Sequence, residues 1–251
     1  MTTGALIFAR NNEHTDYVAM AHWSARNIQR HLGIETHIVT DQSRTDSGSR
    51  HFNDLGNVTW HNTNRMDAYR ISPWDRTLLL DADYVVASDQ LACLLDCDQD
   101  FLAHRWAFDI TGCNDFSGLN HFGSHAMPQW WATVIMFRRS KTAELIFDTM
   151  TMIRDHWTHY RNLYNVSAVT YRNDLALSIA LLIVNGHSLE ISSIPWQLAS
   201  LTPDHRLTQT DLDRYRVEFV NTEGKHRWIE LRQDFHAMGK QQLGDIVASA
   251  Q

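Results

Sequence analysis

The chain has no apolar stretch long enough to span a bilayer; its best run, Leu175 to Val184, suits a buried helix. Nor does anything in it resemble a secretory leader, since the first apolar run, Ala5 to Ala9, is short and follows no basic segment. Cysteine is scarce and odd in number: Cys93, Cys97 and Cys113. Without paired Cys-x-x-Cys spacing this excludes a disulfide framework and points to reduced thiols in a cytosol-like compartment. Together these absences lead us to expect a soluble, cytoplasmic protein. Proline is rare, at four residues, and repeats, low-complexity tracts and clear linkers are missing, so one domain is expected across 1–251. Positive charge is also in deficit, with 22 Lys and Arg against 29 Asp and Glu and a net charge of -7. That speaks against broad nucleic-acid or membrane binding by charge alone, while leaving room for a local basic groove.

What is present is an ordinary globular composition, 43% apolar and 20% charged in 251 residues, ample for a substantial core. Gly4 to Ala9 reads as a short buried strand. A helix follows from near Thr15 to Leu32, closed by Gly33. Glu35 to Thr40 reads as a second strand, and this strand–helix–strand order implies a right-handed crossover and a parallel pair. Gln42 to Gly56 is a polar loop, Val58 to Trp60 a brief strand, and Asn62 to Arg70 a short helix. The apolar run within Arg76 to Val86 reads as a buried strand, central in a parallel sheet, that delivers Asp81 and Asp83 to its carboxyl end. Ser88 caps a helix through Cys97, with Leu91, Leu94 and Leu95 inward. Strands are expected at Phe101 to Trp106, Ala132 to Phe137 and Leu189 to Ile194, with a long functional loop between Phe108 and Trp131. Helices are expected from Ser140 to Trp157 and from Asn173 to Asn185. Arg216 to Val220 and His226 to Leu231 form a hairpin, and a short helix follows Lys240. The expected class is α/β: a mostly parallel sheet flanked by helices, with a small C-terminal hairpin.

The Arg76–Val86 strand carries the chemistry. Three leucines run into Asp81-Ala82-Asp83, at the carboxyl end, where open α/β sheets place ligands. Two carboxylates that close repel unless a cation lies between them, so a divalent metal is the natural third party. Two solvated aspartates at a strand end are the plainer alternative.

A buried strand ending in Asp-x-Asp, preceded by one or two βα units, resembles the GT-A glycosyltransferases. Trp74-Asp-Arg-Thr-Leu-Leu-Leu-Asp81-Ala-Asp83 is similar to the stretch that glycogenin-like, family 8 enzymes carry there. His236, Gly239 and Lys240 follow the His-x-x-Gly…Lys pattern with which those enzymes close their catalytic domain, although Gln241 stands where Pro-Trp is usual and Lys240 comes early. The resemblance implies Mn²⁺ or Mg²⁺ on Asp81, Asp83 and His236, and a nucleotide-diphosphate sugar, UDP-sugar first, as donor. It also implies a retaining hexosyl- or pentosyltransferase. Residues 1–100 would form the nucleotide-binding half, and 101–251 the acceptor half with the C-terminal metal-ligand segment. Ala9, Arg10, Asn11 and Asn12 match the base and ribose site; Ala82, Gly239 and Lys240 the diphosphate site. Arg65 and Arg70 are candidates for the donor phosphates, and solvated helix residues otherwise. Asn173 and Asp174 are candidates for the donor sugar or acceptor hydroxyl, or a helix N-cap in favourable dipole orientation. Trp130, Trp131 and the His121–His125 loop are candidates for an acceptor platform.

The acceptor stays open among a glycan, a metabolite, a protein hydroxyl and a hydroxymethylated DNA base of viral type. Two rivals also stand. A haloacid-dehalogenase-like phosphatase would use Asp81 as nucleophile and Asp83 as acid/base, although its strand usually comes first in the chain. A non-catalytic nucleotide-sugar binding module would keep the pocket without needing an intact metal site. A sugar-phosphate nucleotidyltransferase would need a Gly-rich loop, which Arg10-Asn11-Asn12 does not provide.

Overall fold

The computed structural model describes residues 1–40, 49–51 and 62–250. In chain order the first part comprises β1 (Thr3–Ala9), α1 (Tyr17–Leu32), β2 (Glu35–Thr40), β3 (Ser49–His51), a 3-10 turn at Asn62–Asp67, α2 (Ala68–Ile71), β4 (Arg76–Leu80) and β5 (Tyr84–Val85). Then come α3 (Ala92–Leu95), β6 (Phe101–His104), β7 (Ala107–Asp109), β8 (His121–Phe122), β9 (Met127–Pro128) and β10 (Trp131–Arg138). They are followed by α4 (Lys141–Asp155), α5 (Trp157–Leu163) and α6 (Asn173–Val184). The last part is β11 (Leu198–Leu201), β12 (Arg206–Asp211), β13 (Arg214–Val220), β14 (His226–Leu231), β15 (Phe235–Ala237) and α7 (Lys240–Ser249).

The main sheet runs β3-β2-β1-β4-β10-β6. Its first four strands are parallel, while β10 is antiparallel to both β4 and β6. All five residues of β4 are buried, because both faces of the sheet are covered. Period-2 alternation sends Leu78 and Leu80 into one core with Ile7, Met20 and Ile28, and Leu79 into the other with Leu6, Ile135 and Phe147. Each leucine so buried contributes about 1.5–3 kcal/mol. The second core explains the nearly all-apolar α6, which packs between α4 and β10 and has no polar side to show. A second sheet, β5-β15-β11-β7, and a three-stranded antiparallel sheet, β12-β13-β14, complete the architecture. The fold is mixed α/β. No described helix is long and apolar enough to cross a membrane.

Most elements fall where the periodicity places them. Asp16 caps α1 by accepting from Ala19 N, and Gly33 closes it in the left-handed region with φ 67°. Several expectations need correction. The strand within Arg76–Val86 ends at the aspartates as expected, but Tyr84–Val85 after them forms a further strand in the second sheet. Ser88 caps no long helix; its hydroxyl and amide bond Asp234, and α3 holds only Ala92–Leu95. Phe101–Trp106 also divides, β6 staying in the main sheet and β7 joining the second. Leu189–Ile194 is irregular, and the strand begins after Pro195, at Leu198. Trp157 opens α5 rather than ending α4. The hairpin has a third strand, β12. The Val58–Trp60 strand lies outside the described residues.

One buried group gives the fold an acid-sensitive point. His104 on β6 is fully buried, with neither ring nitrogen hydrogen-bonded, and its ring meets Trp196 edge-on. Burial pushes its pKa from 6.5 down to about 3, because charging an imidazole there costs its hydration. The unfolded chain therefore binds a proton below pH 6.5 that the native state refuses until about pH 3. The stability present above the unfolded pKa is lost progressively through that window. Urea unfolding at pH 7.5 and pH 5 is expected to show this group costing about 2 kcal/mol at the lower pH. His104→Phe, which keeps a ring against Trp196, should shrink the pH difference by that amount.

Candidate active site

The site begins where β4 ends. Asp81 N still donates to Thr133 O of β10 at 3.0 Å, the last bond of the β4–β10 ladder. The chain then turns, with Tyr84 N donating to Asp81 O at 3.1 Å. Aspartate is a poor strand residue and a good turn residue. The turn hands the chain to the second sheet, where β5 pairs antiparallel with β15 in the register His236↔Tyr84. Ala237 N donates to Asp83 O at 2.9 Å and fastens the two segments. That pairing is what brings His236 to the aspartates.

One ligand atom each from Asp81, Asp83 and His236 lie within 4.8 Å of one another. His236 Nε2 stands 3.5 Å from Asp83 Oδ2. Nε2 is thus the ring nitrogen turned to the carboxylates, while Nδ1 is buried without a hydrogen-bond partner among the described residues. Two carboxylates and an imidazole form a donor set suited to Mn²⁺; the residues fit such an ion after small side-chain adjustments. Two protein cations flank them. Arg65 Nη1 donates to Asp81 Oδ1 at 2.6 Å, and Lys240, the first residue of α7, is ion-paired with Asp83 Oδ2. Burial alone would raise the Asp83 pKa, but His236 and Lys240 outweigh it and hold the carboxyl well below the ordinary carboxylate range. For Lys240, desolvation is outweighed by Asp83, which raises the ammonium pKa.

These residues floor a cleft of about 910 Å³. One wall comes from the segment after β1 and the start of α1: Arg10, Asn11, Asn12 and Tyr17. The amide side chains there have local work. Asn11 Oδ1 accepts from Val18 N at 2.9 Å, and Asn12 Oδ1 from His14 N and Thr15 N, so both order the helix entrance. The opposite wall carries Trp131, Thr133, Tyr171, Asn173 and Asp174. Asp174 lies in the first turn of α6, but Asn173 is not its N-cap; that position is Arg172. Asp174 Oδ1 instead accepts from Ala132 N of β10 at 2.7 Å, and Arg172 lies 3.6 Å from Oδ2. The carboxylate is thus held across the cleft wall by another element.

The structure gathers Arg10, Asn11, Asn12, Arg65, Asp81, Ala82, Asp83, Asn173, Asp174, His236 and Lys240 around one cleft. Three expected residues do not line it. Ala9 is packed in the core, 1% exposed, because β1 is buried to its last residue. Arg70 faces outward and pairs with Asp67 one helical turn back. Gly239 is the N-cap position of α7, where an added Cβ would meet Pro203, and it does not line the cleft. The aromatic platform divides as well. Trp131 lines the cleft, but Trp130 enters the opposite core and lines a separate groove with His121 and His125. Adjacent residues entering a strand face opposite ways. Tyr17, Tyr171 and Met238 are cleft residues that the motifs did not announce. Tyr17 alone left a trace, as the first apolar residue of the helix after β1.

Neither a protein-family model nor any curated protein matches the chain. Among solved structures it is similar to the glycosyltransferase GlyE of Streptococcus pneumoniae TIGR4, at 14% identity and TM-score 0.46 over 77% of this chain. It spans 45% of the length of that protein. It is also similar to the galactosyltransferase LgtC with donor and acceptor sugar analogs, at 14% identity and TM-score 0.44, covering 71% of this chain and 70% of that one. Mouse xyloside xylosyltransferase 1 shares 10% identity at TM-score 0.46, covering 74% of this chain and 83% of its own.

Proposed function

We propose that the cleft is the active site of a metal-dependent glycosyltransferase that moves a sugar from a nucleoside-diphosphate donor, UDP-sugar first, to an acceptor hydroxyl. The observation that carries this is the convergence of Asp81, Asp83 and His236 within 4.8 Å, beside Lys240, in one open cleft. A divalent ion there would neutralise the diphosphate as the sugar–phosphate bond breaks. Lys240 adds a second positive charge to the same leaving group, from a position fixed by the start of α7. Arg65 spends its guanidinium on Asp81 and on the carbonyls of Leu79 and Thr133, so we assign it to orienting Asp81 rather than to the donor phosphates. Arg10, Asn11 and Asn12 hold the nucleoside side, with residues 1–100 as the donor half. Asp174, clamped through Oδ1, offers Oδ2 to a sugar or acceptor hydroxyl. Transfer with retention belongs to the same proposal.

The test uses UDP release. Incubation with Mn²⁺ and a panel of UDP-sugars should give slow donor hydrolysis, which EDTA stops and re-added Mn²⁺ restores. Hydrolysis of p-nitrophenyl phosphate with no UDP release would instead favour the phosphatase reading.

A further inference from the structure

On the far side of the strand that carries Trp131 lies a groove of about 400 Å³, lined by Arg105, Trp106, His121, Met127, Trp130 and Ile191 among others. Its floor is built. Arg105 Nη1 donates to Asn120 O at 2.8 Å and to Gln129 O at 3.1 Å, which fixes the guanidinium. The cation lies 4.1 Å over the Trp106 ring and 5.2 Å from the Trp130 ring, and His121 meets Trp106 edge-on. Trp106 is nonetheless 44% exposed, so a large aromatic surface is held rigid and left uncovered.

One feature of this floor lacks a complement. Among the described residues no carboxylate lies within ion-pair distance of Arg105, which is partly buried. An anionic, acceptor-rich group is what the groove lacks. The apolar rim, with Met127, Leu189 and Ile191, asks for a flat carbon face beside it.

We propose that this groove is a second binding site, separate from the cleft, for a sugar ring carrying an anionic substituent. The ring's C–H face would lie on the exposed part of Trp106, as sugars lie on aromatic faces. The anionic group would take the charge of Arg105, in a bond that is stronger for being charge-assisted. The net charge of -7 disfavours a nucleic-acid strand as the occupant. The site does not depend on the catalytic reading, because none of its residues lines the cleft.

The experiment is ligand-observed NMR on the full chain with four probes: methyl glucuronide, methyl glucoside, inorganic phosphate and thymidine monophosphate. The glucuronide should bind at least tenfold tighter than the uncharged glucoside or phosphate alone. Trp106→Ala should weaken it tenfold or more. Arg105→Lys, which keeps a cation and a donor for the carbonyls, should weaken it less than Arg105→Gln. Asp83→Asn should leave it unchanged, so failure of the cleft assignment and failure of this one are told apart. Equal affinity for glucoside and glucuronide, insensitivity to Trp106→Ala, loss in Asp83→Asn, or preference for thymidine monophosphate would each overturn the proposal.

Discussion

Asp83→Ala is expected to lower UDP release from a UDP-sugar by roughly 10³-fold, the scale set by removing one preorganised electrostatic group from an active site. The substitution removes a proposed metal ligand and the ion-pair partner of Lys240 together. The fold should survive it. The bond that fastens β5 to β15 at this point uses the backbone carbonyl of residue 83, not the carboxylate, and Lys240 is partly exposed, so its ammonium can turn to water. The checks are steady-state UDP release and Mn²⁺ titration calorimetry, with circular dichroism to show an intact fold. A variant that still binds Mn²⁺ with wild-type affinity would mean that the turn after β4 has another purpose.

Arg65→Leu is expected to be the more damaging change for stability, by about 2–3 kcal/mol. Arg65 is 5% exposed and joins three groups: Asp81 Oδ1 at 2.6 Å, Leu79 O and Thr133 O. Its removal leaves the Asp81 carboxylate without its cation at the seam of β4 and β10 and takes a second donor from the carbonyl of Thr133, which keeps its bond from Asp81 N. The cost stays below that of a fully enclosed pair because the Asp81 side chain keeps 36% of its surface open. Arg65→Leu with Asp81→Asn should recover part of the stability, since no uncompensated charge remains, but none of the activity. Urea unfolding of the two single variants and the double variant measures this coupling. Full additivity would show that the two side chains do not act as a unit.

Legibility differed between the strand and its companions. Leu78 to Leu80 announced a doubly buried strand because three consecutive apolar residues can only be satisfied by cores on both faces. The strand end at the aspartates was legible, but that Tyr84 and Val85 serve another sheet was hidden, since they continue the apolar pattern. Period-2 patterning says that a residue is covered, not by which layer. His236 was visible only through the Gly239 and Lys240 that follow it, whereas its β15 neighbours carry no long apolar run. Arg65 could not be distinguished from Arg70 by sequence. One turns inward to a carboxylate at the strand end and the other outward to Asp67, a difference set by where the helix lies on the sheet. Trp130 and Trp131 read as a pair, but strand alternation gives them to different surfaces.

The β5–β15 pairing also bears on the order of folding. It joins segments about 150 residues apart in the chain, whereas β1, β2 and β4 can associate by shorter crossovers. Closing a long loop must precede the contacts that reward it, so such pairings form late. Asp81 is therefore placed by the sheet of short crossovers, and Asp83 and the imidazole by the long-range pairing. An affinity for divalent metal should emerge only in the last folding step, which makes metal capture a reporter of completed chain collapse rather than its cause.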